Sequence, residues 1–107
     1  MSQEIQSIFR GLADPTRRDL IALLRDQVLS ISSLAANFDS SRNAIVKHLK
    51  VLEGGGIVGS YVEGTEKLHF LRAENLRPAH EWLSQYEAFW DGKLGQLKAS
   101  VEANRHD

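Results

Sequence analysis

A short helix with two different faces is predicted by the segment Ser41-Arg-Asn-Ala-Ile-Val-Lys-His-Leu-Lys-Val-Leu-Glu53. Ile45, Leu49 and Leu52 recur at helical spacing and form an apolar stripe. Ser41 is a good N-cap, because its hydroxyl can accept a hydrogen bond from a free backbone N–H of the first turn. The three glycines that follow Glu53 end the helix.

The face opposite this stripe carries Arg42, Asn43, Val46, Lys47 and Lys50. Four of these five side chains can donate hydrogen bonds, three are positively charged, and no acid lies between Ser41 and Glu53. A compact helix with a cationic, amide-bearing front is what reading of the DNA major groove requires. An ordinary surface helix also carries charges on its outer face, so the neighbouring elements decide between the two interpretations.

Composition and charge limit the possible functions. The chain has 107 residues, 42% of them hydrophobic and 25% charged, which is typical of one soluble globular domain. Its net charge of -1 means that any DNA site must be a local basic patch. The absence of cysteine excludes disulfides, thiolate metal sites and cysteine nucleophiles. The N-terminus lacks a signal-peptide pattern, and no apolar run approaches the roughly 20 residues that span a bilayer, so we expect no membrane partner and a cytoplasmic location.

Three predicted helices precede the Ser41 helix. Asp14 and Pro15 begin the second of them, and Ser30 begins the third. A polar turn over residues 37–40 joins the third helix to the Ser41 helix, and two short helices joined in this way form a helix-turn-helix. The first helix, over residues 3–12, is predicted from the helical spacing of Ile5, Ile8, Phe9 and Leu12.

Arg17 and Arg18 lie in the first turn of the second helix, where the helix macrodipole disfavours cations. In one interpretation they pair with Asp14 and Asp19. In the other, the start of this helix faces an external anion such as a DNA phosphate. The sequence leaves both alternatives open.

After the glycines, the period of the pattern changes from helical to two. Residues 57–62 and 67–71 are rich in residues that favour strands, and residues 63–66 supply a turn with glycine. A β-hairpin beside a helix-turn-helix defines a winged helix. The predicted fold is therefore mainly α with a small β-hairpin (α+β), in the order α-α-α-α-β-β-α, as a single domain over residues 1–107.

The helical period returns over residues 75–102. Leu76, Leu83, Trp90 and Leu97 are spaced by seven, and other apolar and aromatic residues flank them. This surface exceeds what a small domain can cover, which favours a partner helix and hence a homodimer. The alternative is that the helix packs wholly on its own core. Two interior glycines, Gly92 and Gly95, mark a kink, a close crossing or an early end.

With these elements in order, the chain resembles the ArsR-type winged-helix transcriptional regulators of bacteria. The matching residues are Ala13-Asp-Pro-Thr-Arg-Arg18, Leu34-Ala35, Ala44-Ile-Val-Lys-His-Leu-Lys-Val-Leu-Glu53 and Gly56-Ile-Val58. The resemblance implies a homodimeric repressor whose first and last helices form the dimer and whose Ser41 helix enters the major groove of an operator. Because two such helices meet half-sites about one helical turn apart, we expect the operator to be an imperfect palindrome.

Two sets of contacts follow from these interpretations. The predicted DNA contacts are Arg17, Ser40, Ser41, Arg42, Asn43, Val46, Lys47, Lys50, Thr65 and Lys67. The predicted dimer contacts are Ile5, Ile8, Phe9, Leu83, Tyr86, Trp90, Leu94 and Leu97. Val46 has two interpretations: it touches a thymine methyl, or it packs at the helix edge against Phe38 or the turn.

The chain departs from the family pattern in three ways. Metal-sensing members place cysteines near the third helix or paired ligands on the last one, whereas this chain offers His80 there and a second histidine only at His106. The position of Val46 is often serine in the family. The hairpin tip, often rich in arginine, holds Glu63 and Glu66 with Lys67 as its one base.

No enzymatic pattern stands out in the sequence. A phosphate loop, a nucleophile elbow and paired carboxylates are all missing, so we predict no enzyme, no cofactor and no metal site. Two functions remain. The first is a DNA-binding repressor, whose small-molecule effector the sequence does not identify. The alternative is a dimeric protein-interaction module that has kept the fold and lost DNA binding. The acidic wing and the net charge of -1 favour this alternative, whereas the uninterrupted basic face of Arg42, Lys47 and Lys50 favours DNA binding more.

Overall fold

The computed structural model describes residues 2–105, apart from the side chains of residues 99, 100 and 102–105. The first half of the chain contains α1 (Gln3–Leu12), α2 (Pro15–Leu24), β1 (Leu29–Ser30), α3 (Ile31–Ala35) and α4 (Arg42–Gly54). The second half contains β2 (Val58–Glu63), β3 (Glu66–Leu71), a 3-10 turn (Ala73–Leu76), α5 (Arg77–Ser84) and α6 (Glu87–Arg105). The predicted winged helix-turn-helix is confirmed, and His106 lies outside the described residues.

Side-chain caps fix where the first four helices begin. In each case a side-chain oxygen accepts a hydrogen bond from the backbone N–H three residues further on, which satisfies one of the free donors of the first turn. The capping residues are Ser2, Asp14, Ser30 and Ser41. The three caps predicted from the sequence are therefore confirmed, and Ser2 adds a fourth.

The sheet has three antiparallel strands in the order β1-β3-β2, where the sequence predicted only the hairpin of β2 and β3. The added strand pairs Leu29 with His69 and Ser30 with Leu68. Gly64, at φ 63°, begins the tight turn of the hairpin, a position that requires the left-handed backbone that glycine adopts most readily. Since β1 leads directly into α3, it ties the wing to the helix-turn-helix.

The core lies where α1, α2, α3 and α4 meet the base of the wing. Ile45, Leu49 and Leu52 are buried in it, as the apolar stripe predicted. Ile8 is only 1% exposed and belongs to this core as well. The prediction of Ile8 as a dimer contact is therefore wrong, because a side chain buried within its own protomer has no surface to offer a partner.

The predicted single helix over residues 75–102 is divided in two. α5 ends at Ser84, and α6 begins at Glu87 and passes through both interior glycines without a break. Two side chains explain the interruption: Ser84 Oγ donates to the His80 carbonyl at 2.7 Å, and Gln85 Nε2 donates to the Trp82 carbonyl at 2.8 Å. Such side chains compete with the backbone for the carbonyls of the last turn. None of the helices described is long and apolar enough to cross a membrane.

Candidate nucleic-acid interface

One face of α4 is exposed and polar. Arg42, Asn43, Lys47 and Lys50 are all exposed on this face, which we call the reading face. The opposite side of α4 is buried in the core, so the orientation of the helix is fixed by its packing. Ser40 and Ser41, immediately before the helix, are exposed as well. The structure therefore gathers six of the ten predicted DNA contacts at one surface.

A cleft separates the start of α4 from the wing. It has a volume of about 230 Å³, and Arg42, Thr65 and Lys67 are among the residues that line it. Two of these predicted contacts belong to the wing and one to α4, so the fold brings together residues that are far apart in sequence. Glu66 also lines the cleft and reduces its positive charge.

The sequence did not identify two hydroxyl residues of this cleft, Ser30 and Ser32. Arg42 Nη1 donates to Ser32 Oγ at 3.2 Å, so the hydroxyl holds the guanidinium at the mouth of the cleft. Ser30 Oγ accepts from the backbone N–H of Ser33 as the cap of α3. The serine-rich start of α3 was the available signal, since hydroxyl groups beside a basic helix can bind phosphate oxygens.

The partly buried Glu53 and the buried His69 join the end of α4 to the wing. Glu53 Oε1 lies 3.3 Å from His69 Nε2 and 4.0 Å from Lys67 Nζ, and His69 is only 1% exposed. Burial lowers the pKa of His69 below its ordinary value of 6.5, although the nearby Glu53 carboxylate acts in the opposite direction. His69 is therefore neutral at pH 7, and the wing is attached to α4 through an uncharged ring.

Arg17 is held at the end of α1 by acceptors of its own chain. Its guanidinium donates to the carbonyls of Arg10 at 2.7 Å and Gly11 at 2.9 Å, at the end of α1. It also lies 3.4 Å from His48 Nδ1 in α4. Arg18 likewise donates to the Leu12 carbonyl at 2.7 Å. Both arginines neutralise the carbonyl end of α1 and do not form the ion pairs with Asp14 and Asp19 that were one of the two open interpretations. The contact of Arg17 with a DNA phosphate stays a prediction.

Val46 is partly buried on the side of α4 that faces the wing. It lines a small cavity of about 30 Å³ together with Ile31, Leu49 and His69. This position supports the interpretation in which Val46 packs at the edge of the helix. The neighbours that line the cavity with it include His69 of the wing, where the sequence suggested Phe38 or the turn.

Most of the predicted dimer contacts form an exposed apolar face on α5 and α6. The exposed fractions are 40% for Leu83, 39% for Tyr86, 48% for Trp90, and 63% for both Leu94 and Leu97. Ile5 and Phe9 on α1 are partly buried, and the Phe9 ring meets the Trp82 ring edge-to-face at 5.7 Å between centroids. The Tyr86 ring meets the Trp82 ring edge-to-face at 5.3 Å and stacks on the Trp90 ring at 6.4 Å, so one aromatic series joins α1, α5 and α6.

Metal ligands are not clustered in the part of the chain that the structure describes. No group of three or more His, Cys, Asp or Glu side chains there could hold a metal ion. His80, the one histidine of α5, has Ser84 beside it at 3.5 Å.

A helix-turn-helix with a basic exposed helix beside a hairpin defines the class of winged-helix DNA-binding proteins. A family model described as a helix-turn-helix domain matches residues 12–59. The HTH-type transcriptional regulator Rv2034 of Mycobacterium tuberculosis is 30% identical over 99 residues, which are 92% of this chain and 90% of that protein. The solved structure of an ArsR-like transcriptional regulator from Rhodococcus sp. RHA1 has a TM-score of 0.71 and 35% identity, covering 89% of this chain and 90% of that one.

The transcriptional repressor SdpR of Bacillus subtilis is 23% identical over 82 residues, which are 77% of this chain and 91% of that protein. The chain belongs to the ArsR family of winged helix-turn-helix transcriptional regulators. It is accordingly a DNA-binding transcriptional regulator and not an enzyme.

Proposed function

We propose that this protein is a repressor that binds a palindromic operator as a homodimer. The observation that carries the proposal is the reading face, in which Arg42, Asn43, Lys47 and Lys50 are exposed on a helix whose other side is buried. The name of SdpR, a transcriptional repressor, supports repression as the outcome of binding.

The position of each side chain along α4 suggests its role. A helix in the major groove offers mainly its N-terminal residues to base edges. Asn43 lies in the first turn and can pair bidentately with adenine, and Lys47, one turn on, can contact guanine. Lys50 is nearly a turn further along and is placed for the phosphate backbone. Asn43 and Lys47 are therefore proposed to read bases, whereas Lys50 is proposed to anchor the helix.

The wing cleft supplies further backbone contacts in this proposal. Arg42 and Lys67 give the cleft two positive charges, and the hydroxyls of Ser30, Ser32 and Thr65 can donate to phosphate oxygens. Because Ser32 holds Arg42 at the mouth of the cleft, the guanidinium needs little reorganisation before it meets a phosphate.

The homodimer is proposed from the exposed apolar face of α5 and α6. α6 has 19 residues and is therefore about 28 Å long. An apolar face of this length is rarely left in water by a monomer. The same face on a second copy is the simplest complement, because a two-fold interface pairs one surface with itself. The two α4 helices would then reach half-sites roughly 34 Å apart.

A binding titration tests the function. Fluorescence anisotropy with labelled DNA from the protein's own promoter, against a shuffled duplex of equal length, measures specific and nonspecific affinity at two salt concentrations. The proposal expects specific binding at least about a thousandfold tighter than nonspecific binding, with both weakened by salt. Equal affinity for the two duplexes would favour the alternative function, a dimeric module for protein interaction, which the acidic Glu63 and Glu66 of the wing tip support.

A further inference from the structure

A second basic site lies between α1 and the end of α4. A cavity of about 340 Å³ opens there, lined by Ser7, Arg10, Lys50, Val51, Gly54 and Gly55. Arg10 and Lys50 come from different helices, and the lining includes no acidic side chain. Neither cation has a hydrogen-bond or ion-pair partner for its side chain among the side chains that the structure describes. The site therefore has two uncompensated positive charges and a hydroxyl group.

We propose that this cavity binds a phosphate group. Arg10 can offer a planar pair of N–H donors, Lys50 a compact ammonium group and Ser7 a hydroxyl, which together suit the oxygens of one phosphate. The carbonyl end of α4 opposes an anion here with a partial charge of roughly half an electron. Two full positive charges exceed that opposition by about one and a half charges, and one by about half a charge, so loss of either cation lowers the net positive charge about threefold.

The glycines that end α4 shape this cavity. A Cβ atom on Gly55 would lie 3.0 Å from the Ser7 carbonyl oxygen, so glycine permits the close approach of α1 to α4. A Cβ atom on Gly54 would meet nothing within 4 Å, so this position opens into free space. A large side chain at Gly54 can therefore obstruct the cavity without changing its charge or straining the fold.

The phosphate has two possible sources. Asn43, Lys47, Lys50 and Gly54 are spaced at helical intervals, so the cavity lies at the end of the reading face. A phosphate of the DNA backbone would extend the operator contact to Arg10 on α1, and this source rests on the proposed function. A free phosphate-bearing small molecule could occupy the same cavity, which exceeds the volume of one phosphate, and would compete with DNA for Lys50.

Titration with inorganic phosphate tests the site without DNA. The amide resonances of Val51, Gly54 and Gly55 are followed by NMR while phosphate replaces chloride at constant ionic strength and pH. The proposal expects saturable shifts in the wild type and at least about a tenfold loss of phosphate affinity in Arg10→Gln. Gly54→Leu, followed through Val51 and Gly55, should show a comparable loss. Arg25→Gln, which removes the same charge from an exposed position near Asp26, should bind phosphate like the wild type.

The salt dependence of DNA binding then identifies the source. If the phosphate belongs to DNA, Arg10→Gln lowers the slope of log affinity against log salt by about one relative to Arg25→Gln. If the slopes are equal, the ligand is a free phosphate compound. Absence of saturable shifts in the wild type overturns the proposal, as does an equal loss of affinity in Arg25→Gln. A wild type that binds phosphate but no promoter DNA would refute the proposed function and leave the cavity as a free phosphate site.

Discussion

Leu94 offers the most quantitative test of the proposed dimer. Complete burial of a leucine side chain contributes about 1.5–3 kcal/mol. Leu94 keeps 63% of its surface exposed in one protomer, so a partner that covered it would gain about 1–2 kcal/mol from this side chain. Because both copies contribute in a symmetric dimer, Leu94→Ala should cost about 2–4 kcal/mol, which raises the dimer dissociation constant about 30-fold to about 1,000-fold.

Sedimentation equilibrium over a range of protein concentrations measures this dissociation constant directly. Val62→Ala is the matched control, since Val62 is 71% exposed but lies on the wing, and it should leave the dissociation constant unchanged. Circular dichroism establishes that both variants keep the wild-type helix content. A folded Leu94→Ala protein that dimerises like the wild type would refute the assignment of α6 to the dimer, and a monomeric wild type at micromolar concentration would refute the dimer itself.

Three other predictions concern the buried histidine, the wing and metals. Since the pKa of His69 is lower in the folded chain than its ordinary 6.5, the unfolded chain binds more protons than the folded chain below that pH. Urea unfolding should therefore show a free energy of unfolding that falls as the pH drops below about 6.5, and that falls less steeply in His69→Gln. Changing Glu63 and Glu66 together to Gln should strengthen binding to specific and shuffled duplexes alike, by a few-fold at low salt, in the anisotropy assay; no gain would mean that the wing stands clear of DNA. Low-micromolar zinc or arsenite should not release operator DNA, because the chain has no cysteine and its described residues include no ligand cluster; release that a chelator reverses would contradict this.

The order of elements could be predicted because each carries a local signal. Ser41 caps α4 where its hydroxyl and the following apolar stripe indicated, and the change from helical spacing to alternation marked the wing. The two-residue strand at Leu29 could not be found in this way, because two residues contain no period.

The division of the last helix was also hidden from the sequence pattern. The spacing of seven runs from Leu76 to Leu97 across the interruption between Ser84 and Glu87, so the pattern gives no sign of it. What interrupts the helix is a pair of side-chain hydrogen bonds, from Ser84 and Gln85, that periodicity does not record. Gly92 and Gly95 do not end the helix, because α6 continues through both of them. A Cβ atom at either position would meet nothing within 4 Å, so neither glycine marks a close crossing within the described protomer.

The hydrogen-bond partners of the basic side chains at the interface could not be predicted from the sequence, because they are set by tertiary contacts. Arg17 binds carbonyls six and seven residues earlier in the chain, an arrangement that depends on how α1 and α2 cross. The hydrogen bond from Arg42 to Ser32 likewise depends on the angle between α3 and α4. The residue types on the reading face were predictable, whereas their partners required the folded chain.

The measurement that tests the central claim most directly is a base-by-base affinity scan of the operator, made at matched salt with the wild type, Asn43→Ala and Lys50→Ala. If α4 reads bases with its first turns and anchors with its later ones, Asn43→Ala costs about 1–3 kcal/mol and relaxes preference at particular base pairs. Lys50→Ala should instead weaken binding to all sequences alike and lower the salt slope by about one. An identical, uniform loss in the two variants would contradict the assignment of α4 as the reading helix.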